Sequence, residues 1–469
     1  MDETAEKKES LDKAINKLQL MIERLRVTEA SFAEGKEVDS ILVAGDWLKL
    51  SRTTPAFTFY GEKMADVTLA DTELLRTTID YAHEYAGVFI ELDTKQRQKA
   101  LRDCAEALKT RTEELARTNT KQTGQSLKYS LEQATKAISA MEEMADQLQP
   151  ERSFYENSKL NISIHESAGP CVAFPGWEES ITTTCTLLAL SMLTATPLVI
   201  VPHQKAIMTT LRLVRMFSEA GMPKGAAHVL TGDRKEFIAE AAGNKKAASV
   251  YAEDWSGEGL ADQAAKGQKK MYFRQNRKDM FIVSTEMPIA TIADKIARHA
   301  INRTSPVIVF AEQEDYDALS KLVLDKLKEF SKGDPLMKGT DYWTLDELTL
   351  ATYRSEAEPE PFFGGIQTGK HYIPAIYLSG DFDPALVTRM RNQAILLFRS
   401  TNLNYSVHYA RHIKAANIMV HTKHIDKSFM AIKELKAEQI CINDTPGPHY
   451  EEIYRLFTNR KKIIFGEPA

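Results

Sequence analysis

An α/β fold of two doubly wound parallel-sheet domains is predicted for this chain, and three observations predict it. Between residues 169 and 443, short apolar runs take turns with helical stretches, the strand–helix–strand rhythm of a parallel sheet covered on both faces. The rhythm runs as two successive series, and 469 residues suit roughly two or three domains. A composition of 43% hydrophobic and 27% charged residues is that of a chain able to bury a core.

In chain order, residues 10–26 carry Leu11, Ile15, Leu18, Ile22 and Leu25 in one apolar helical seam. The seam fits either a short coiled coil or a helix docked on its own protein. Residues 27–60 have no clear period, so residues 1–60 read as an N-terminal helical extension and arm. From Leu69 to about Gln149 the pattern is helical with a break at Gly124, and three helices fit. Lys159–His165 alternates through Leu160, Ile162 and Ile164, as a half-exposed strand does.

The first series then places strands at Gly169–Phe174, Pro197–Pro202, His228–Thr231 and Ser249–Ala252, with helices at 179–195, 206–220 and 235–242. The second places strands at Met280–Ser284, Val307–Ala311, Ile373–Leu378, Ile395–Phe398, Ile418–His421 and Ile440–Asn443. Its helices are expected at 289–303, 314–330, 404–416 and 425–436, and the acidic stretch Glu356–Pro361 as a loop. The expected organisation is a first domain of 61–150 and 168–272 and a second of 273–454.

Sixty basic against 65 acidic residues give a net charge of −5, with no basic stripe, so no nucleic-acid partner is expected. The longest apolar stretch, Cys185–Val201, is interrupted by Thr194, Thr196 and Pro197, and no membrane span is expected. The four cysteines, Cys104, Cys171, Cys185 and Cys441, are too scattered for a disulfide framework and form no zinc spacing. With no apolar leader at the N-terminus, a cytoplasmic protein is expected. His408 and His412, spaced i, i+4, lack an intervening Glu or a nearby third ligand and read as solvated or capping residues rather than a metal site. The basic run Lys269, Lys270, Arg274, Arg277 and Lys278 reads as a solvated sheet edge, with an anion site as the minority reading.

The order of motifs resembles the aldehyde dehydrogenase superfamily. Gly169-Pro170-Cys171-Val172-Ala173-Phe174-Pro175 is similar to that family's strand leading into its Pro-Trp-Asn turn, and Pro197-Leu198-Val199-Ile200-Val201-Pro202 to the strand ending in Lys-Pro. Glu219–Gly225 followed by Val229-Leu230-Thr231-Gly232 resembles its helix–loop–strand pattern, and Lys332-Gly333-Asp334-Pro335-Leu336 its Gly-Asp-Pro turn. Ile418–Asp426 and Ile440–Asn443 resemble its late catalytic-domain strands. The resemblance covers about residues 62–466. It implies an aldehyde dehydrogenase-like fold with an oligomerisation hairpin, here residues 151–167 and 455–469, and a homo-oligomer or a hetero-oligomer with an active relative.

Carried over residue by residue, the resemblance also implies a lost site. The family oxidises an aldehyde with a cysteine thiolate, a hydride acceptor and a carboxylate-activated water. The thiol position falls at about Arg303, beside Asn302, Thr304 and Ser305, and no cysteine stands between Cys185 and Cys441. The general-base position falls on Arg274, whose guanidinium cannot accept a proton from water. The oxyanion amide falls on Trp177. On the cofactor side the family's Lys is Val201, its Gly-Ser pair is Glu253-Asp254, and its ribose-binding Glu is about Arg389. Two carboxylates in place of Gly-Ser would repel a pyrophosphate, by roughly 4 kcal/mol for one like-charge contact at ~4 Å. No cofactor is therefore expected, NAD(P) included.

The expected protein is a structural or regulatory subunit, with an anion held in a remodelled tunnel if Arg274 and Arg303 both face it. The alternative is an NAD(P)-dependent aldehyde oxidoreductase using a hydroxyl such as Thr304 or Ser305. A third reading is a ligand sensor.

Overall fold

The computed structural model describes residues 3–25, 38–147, 151–156, 159–253, 262, 265, 267, 269–274, 278–285, 287–347, 349–351, 360–368, 371–390, 392–447 and 450–464. Asp254, Arg277, most of the acidic stretch 356–361, and residues 465–469 lie outside them.

The chain opens with α1 (Glu3–Leu25) and five short strands, β1 (Val38–Asp39), β2 (Ile41–Val43), β3 (Asp46–Leu48), β4 (Thr53–Phe57) and β5 (Lys63–Thr68). Four helices follow: α2 (Thr72–Phe89), α3 (Thr94–Thr110), α4 (Thr112–Thr123) and α5 (Leu127–Gln147). A hairpin, β6 (Glu151–Glu156) and β7 (Lys159–Ser167), leads into the first alternating series. It comprises β8 (Cys171–Phe174), α6 (Ser180–Thr194), β9 (Leu198–Ile200), α7 (Ile207–Glu219), β10 (Ala227–Val229), α8 (Arg234–Gly243), β11 (Ser249–Glu253) and β12 (Lys270–Arg274).

The second series begins with β13 (Lys278–Val283), α9 (Ile289–Ile301), β14 (Val307–Glu312) and α10 (Gln313–Glu329). It continues through β15 (Ile366–Thr368), β16 (His371–Ile373), β17 (Ala375–Ser379), α11 (Pro384–Arg389), β18 (Ala394–Ser400) and α12 (Leu403–Ala410). It closes with β19 (Ala415–His421), α13 (Ile425–Glu434) and β20 (Gln439–Ile442). The chain then adds α14 (Tyr450–Phe457) and β21 (Thr458–Ile464). Two compact units result, one of residues 1–122, 131–275 and 450–469, the other of 123–130 and 276–449.

The first unit holds a seven-stranded sheet in the order β12-β11-β8-β9-β10-β2-β3. The five strands from β12 to β10 run parallel, and β2 and β3 pair antiparallel at the far edge. One face packs on residues of α3, α6, α7 and α14, the other on residues of α1, α2 and α8. The apolar run of α6 is explained by this: Ile181 and Leu187–Leu190 are buried all round the helix rather than along one stripe. The second unit is a six-stranded parallel sheet, β17-β18-β14-β13-β19-β20, with α9 and α10 residues on one face and α11, α12 and α13 residues on the other.

Three differences from the sequence reading have physical causes. Residues 38–57, expected in an arm, form strands, and β2 hydrogen-bonds to β10 through Leu42 and Val229. Four helices, not three, fill residues 72–147, because Arg111 leaves helical geometry (φ −115°) between α3 and α4. The apolar seam of α1 serves this chain's own fold: Leu18 is buried, and Leu11, Ile15 and Ile22 pack on the cluster built by α2 and α8. Polar contacts fix the seam's register, with Lys17 Nζ 2.9 Å from Asp80 and Ser10 Oγ donating to Glu84 at 2.5 Å. Leu18→Asp is expected to weaken this docking by about 3 kcal/mol, since it puts an unpaired carboxylate on an apolar face. Hydrogen exchange across 3–25 checks it: the variant should exchange there far faster than wild type, at unchanged rates in β8–β11.

The hairpin β6–β7 pairs antiparallel with β21 in a three-stranded sheet. Thr196 anchors it, donating to the Phe457 carbonyl and meeting Ser167 Oγ at 2.9 Å. Among the described residues, no helix is long and apolar enough to cross a membrane.

Candidate functional site

The first unit's strand order turns back between β8 and β11. From β8 the chain proceeds through β9 and β10 on one side, and through β11 and β12 on the other. In open α/β sheets the crevice beyond the carboxyl ends at such a switch point is where ligands bind. β8 ends at this switch point and runs on into Pro175 and Gly176, and β11 ends at it with Glu253.

Glu253 is buried, and its carboxylate collects three contacts at this point. The Gly176 N–H donates to Oε2 at 2.6 Å, the Tyr251 hydroxyl to Oε1 at 2.5 Å, and Arg274 Nη1 to Oε1 at 3.2 Å. The last contact follows from register, since Glu253 and Arg274 are directly opposite on parallel β11 and β12. Arg274 also reaches Glu179 at 3.2 Å. Burial works against its charge, but Glu179 and Glu253 outweigh burial and hold the guanidinium pKa well above its ordinary value. Burial, and then the Glu253 charge, push the Tyr251 phenol far up; its ring stacks on Tyr272 with centroids 5.4 Å apart.

The sequence reading missed Arg234, at the start of α8. Its Nη1 donates to the carbonyls of Pro175 and Val201, each at 3.0 Å, and its Nη2 to those of Phe174 at 3.1 Å and Glu253 at 3.3 Å. One guanidinium thus caps the carboxyl ends of β8, β9 and β11. No motif marks it, because Gly232-Asp233-Arg234 reads only as a helix start. Asp233 does cap that helix, accepting from Lys235 N and Glu236 N.

The other singled-out positions are spread over both units. Val201 is fully buried in the first core. Trp177, half-buried, carries Lys205 Nζ 4.7 Å from its ring centroid. Arg389 ends α11, exposed at the rim of an open groove of ≈ 480 Å³ whose lining includes Phe362, Tyr377 and Leu386.

Arg303 follows α9 in the second unit and lies 3.8 Å from buried Asp279. His299 Nε2 is 2.7 Å from the same carboxylate, and Asn417 donates to it from its backbone and side-chain nitrogens at 3.1 and 2.9 Å. Burial raises the Asp279 pKa, but His299, Arg303 and Asn417 together bring it below the ordinary value. Ser305 nearby is buried. Arg274 and Arg303 therefore belong to different units, and each stands against a carboxylate of its own. The surplus positive charge expected from the two is compensated by Glu179 and Glu253 on one side and Asp279 on the other.

All four cysteines are free. Burial pushes the thiols of Cys104 and Cys171 up to about 12 and that of Cys185 higher still, and raises half-buried Cys441. None of the four is a thiolate at neutral pH.

Residues 49–345 match the family model described as the aldehyde dehydrogenase family. The chain is 27% identical over 141 residues to the NADP/NAD-dependent aldehyde dehydrogenase PuuC of Escherichia coli, covering 29% of this chain and 28% of that protein. It is 21% identical over 332 residues to a betaine aldehyde dehydrogenase of Vibrio vulnificus, covering 69% of this chain and 66% of that one. The chain thus spans less than two thirds of the length of these relatives. The fold superposes on an NAD-dependent aldehyde dehydrogenase of Sinorhizobium meliloti with a TM-score of 0.81, at 18% identity, covering 92% of this chain and 96% of the other.

These names overturn one expectation. A chain without a cofactor was expected, whereas relatives in both sequence and structure are NAD(P)-dependent by name. The error lay in reading a changed donor set, Val201, Glu253 and Arg389, as the loss of a whole cofactor class. With Glu253 held as it is, the crevice does not fit a pyrophosphate: the Gly176 N–H that could meet a phosphate oxygen is engaged by a carboxylate.

Proposed function

Because the chain belongs to the aldehyde dehydrogenase family, we propose that it retains the family scaffold without the family's thiol-and-carboxylate chemistry, as a structural or regulatory subunit of an oligomer. The observation that carries this reading is the 256-residue separation of Cys185 and Cys441 in the sequence (441 − 185), which spans the nucleophile position and leaves Arg303 there. Arg274 at the general-base position supports it, since a guanidinium paired with two carboxylates cannot take a proton from water. Trp177 stands in place of the oxyanion amide. Val201, Glu253, Asp254 and Arg389 are the places where this chain departs from the family's contacts to its cofactor, and NAD(P) is the cofactor class carried over from the relatives.

Assembly is proposed through β21 and the β6–β7 hairpin. β21 is an outer strand of its sheet, the edge at which a second copy or an active relative would add a strand. The test is aldehyde turnover by the purified chain with NAD+ and with NADP+, alongside its mass in solution by native mass spectrometry. We expect no reduced nicotinamide above the blank and a mass at least twice that of one chain. Turnover that vanishes in Thr304→Val or Ser305→Ala would replace this reading with an oxidoreductase of altered chemistry.

A further inference from the structure

We propose that Glu253 is the built-in occupant of an oxyanion seat in the switch-point crevice of the seven-stranded sheet, and that a phosphate or carboxylate takes the seat when the Glu253 side chain leaves it. The seat is read from donors. The Gly176 N–H, the Tyr251 hydroxyl and the Arg274 guanidinium converge on one carboxylate at 2.6, 2.5 and 3.2 Å. Each would bond equally well to a formate or phosphate oxygen, because all three donate and none requires the acceptor to be part of the chain.

The charge balance points the same way. Among the described residues, Arg234 and Arg274 supply two positive charges at these strand ends, and Glu179 and Glu253 supply two negative ones. Without the Glu253 carboxylate, Arg274 keeps Glu179 as its partner, and the crevice becomes one charge more positive beside the three donors that Glu253 had engaged. That is the composition of an anion site, and it lies where open α/β sheets receive phosphates. The misfit to a pyrophosphate is thus local: the seat is intact and Glu253 competes for it. A dinucleotide entering the crevice must displace that carboxylate, which lowers its affinity without abolishing the site. The seat is read by binding and not by turnover, so it stands or falls separately from the proposed loss of catalysis.

The experiment compares wild type with Glu253→Ala. Thermal unfolding is followed in sodium formate and in inorganic phosphate against sodium chloride of equal ionic strength, and NAD+ binding by calorimetry. Formate and phosphate should raise the melting temperature of Glu253→Ala by at least about 3 °C over chloride, and that of wild type by much less. Adding Tyr251→Phe to Glu253→Ala should remove about half of the rise, as one of the donors goes. NAD+ should bind Glu253→Ala about tenfold or more tighter than wild type, the smaller end of what relief of a like-charge contact provides. A gain for formate and phosphate with none for NAD+ keeps the seat and limits it to small oxyanions. Equal anion responses in wild type and Glu253→Ala would overturn the proposal. Should Glu253→Ala fail to fold in chloride, recovery of the fold on refolding in formate supports the seat, and failure to recover overturns it.

Discussion

Acidification from about pH 7 to about pH 4.5 is expected to cost this protein most of its stability. Burial, with Arg234 and Lys205 adding to it, pushes His203 down to about 3, and burial pushes His228 down to about 4, from an ordinary 6.5. Burial, with Lys295 beside it, also lowers His421 to about 4. The sign follows from proton counts. Below pH 6.5 the unfolded chain protonates all three imidazoles, while the native state holds them neutral until about pH 4 or lower. The unfolded state therefore binds more protons throughout that window, and stability falls as the pH falls. At about pH 4.5, His203 and His228 should each cost about 2–3 kcal/mol, with less from His421, against a typical total of 5–15 kcal/mol. Asp279 does not offset this, because its lowered pKa keeps its contribution in place until the pH is below the window. Melting curves by circular dichroism at a series of pH values should show a steep decline below pH 6.5. His421→Phe, which keeps an aromatic ring stacked over Phe281, should make the decline shallower. A melting temperature unchanged between pH 7 and 4.5 would refute the account.

Arg274→Met is expected to be the most damaging single substitution in the first unit, at about 3–4 kcal/mol. The side chain sits between Glu179 and Glu253, and Met fills similar space without the charge, leaving Glu253 buried with no cation opposite it. Partial recovery should follow from adding Glu253→Gln, which retains an acceptor for Gly176 and Tyr251 while removing the stranded charge. Urea unfolding of the two variants measures both effects. If Arg274→Met costs less than about 1 kcal/mol, or the second substitution adds its own loss instead of relieving the first, the group is not a coupled buried set.

The parallel strands were legible because each is a run of apolar residues covered on both faces, as Cys171–Phe174 and Val307–Ala311 are. The short strands β2 and β3 were not. They are joined by a two-residue turn in which Ala44 (φ 53°) and Gly45 (φ 87°) both adopt positive φ. Such turns are announced by Asn-Gly or Asp-Gly, and Val43-Ala44-Gly45-Asp46 hides the signal behind an alanine. At the candidate site, Glu253 and Arg274 were each noticed as departures from a motif, but nothing in a linear chain shows that they are opposite each other. That follows from the register of β11 on β12, which packing decides. Arg234 was invisible for a related reason. Its partners are backbone carbonyls of Phe174, Pro175, Val201 and Glu253, which carry no residue-type signature.

The last helix, α14, belongs to the first unit, and Phe457 at its end is fully buried in that unit's main apolar cluster. The second unit is thus spliced into the middle of the first. During synthesis at about 5–20 residues per second, β8–β11 leave the ribosome long before Ile453, Leu456 and Phe457 exist to close over α6. The order of completion is therefore the reverse of the order of emergence: the spliced-in unit can finish folding while the earlier one still waits with an open core, a natural client for a chaperone that shields apolar surface.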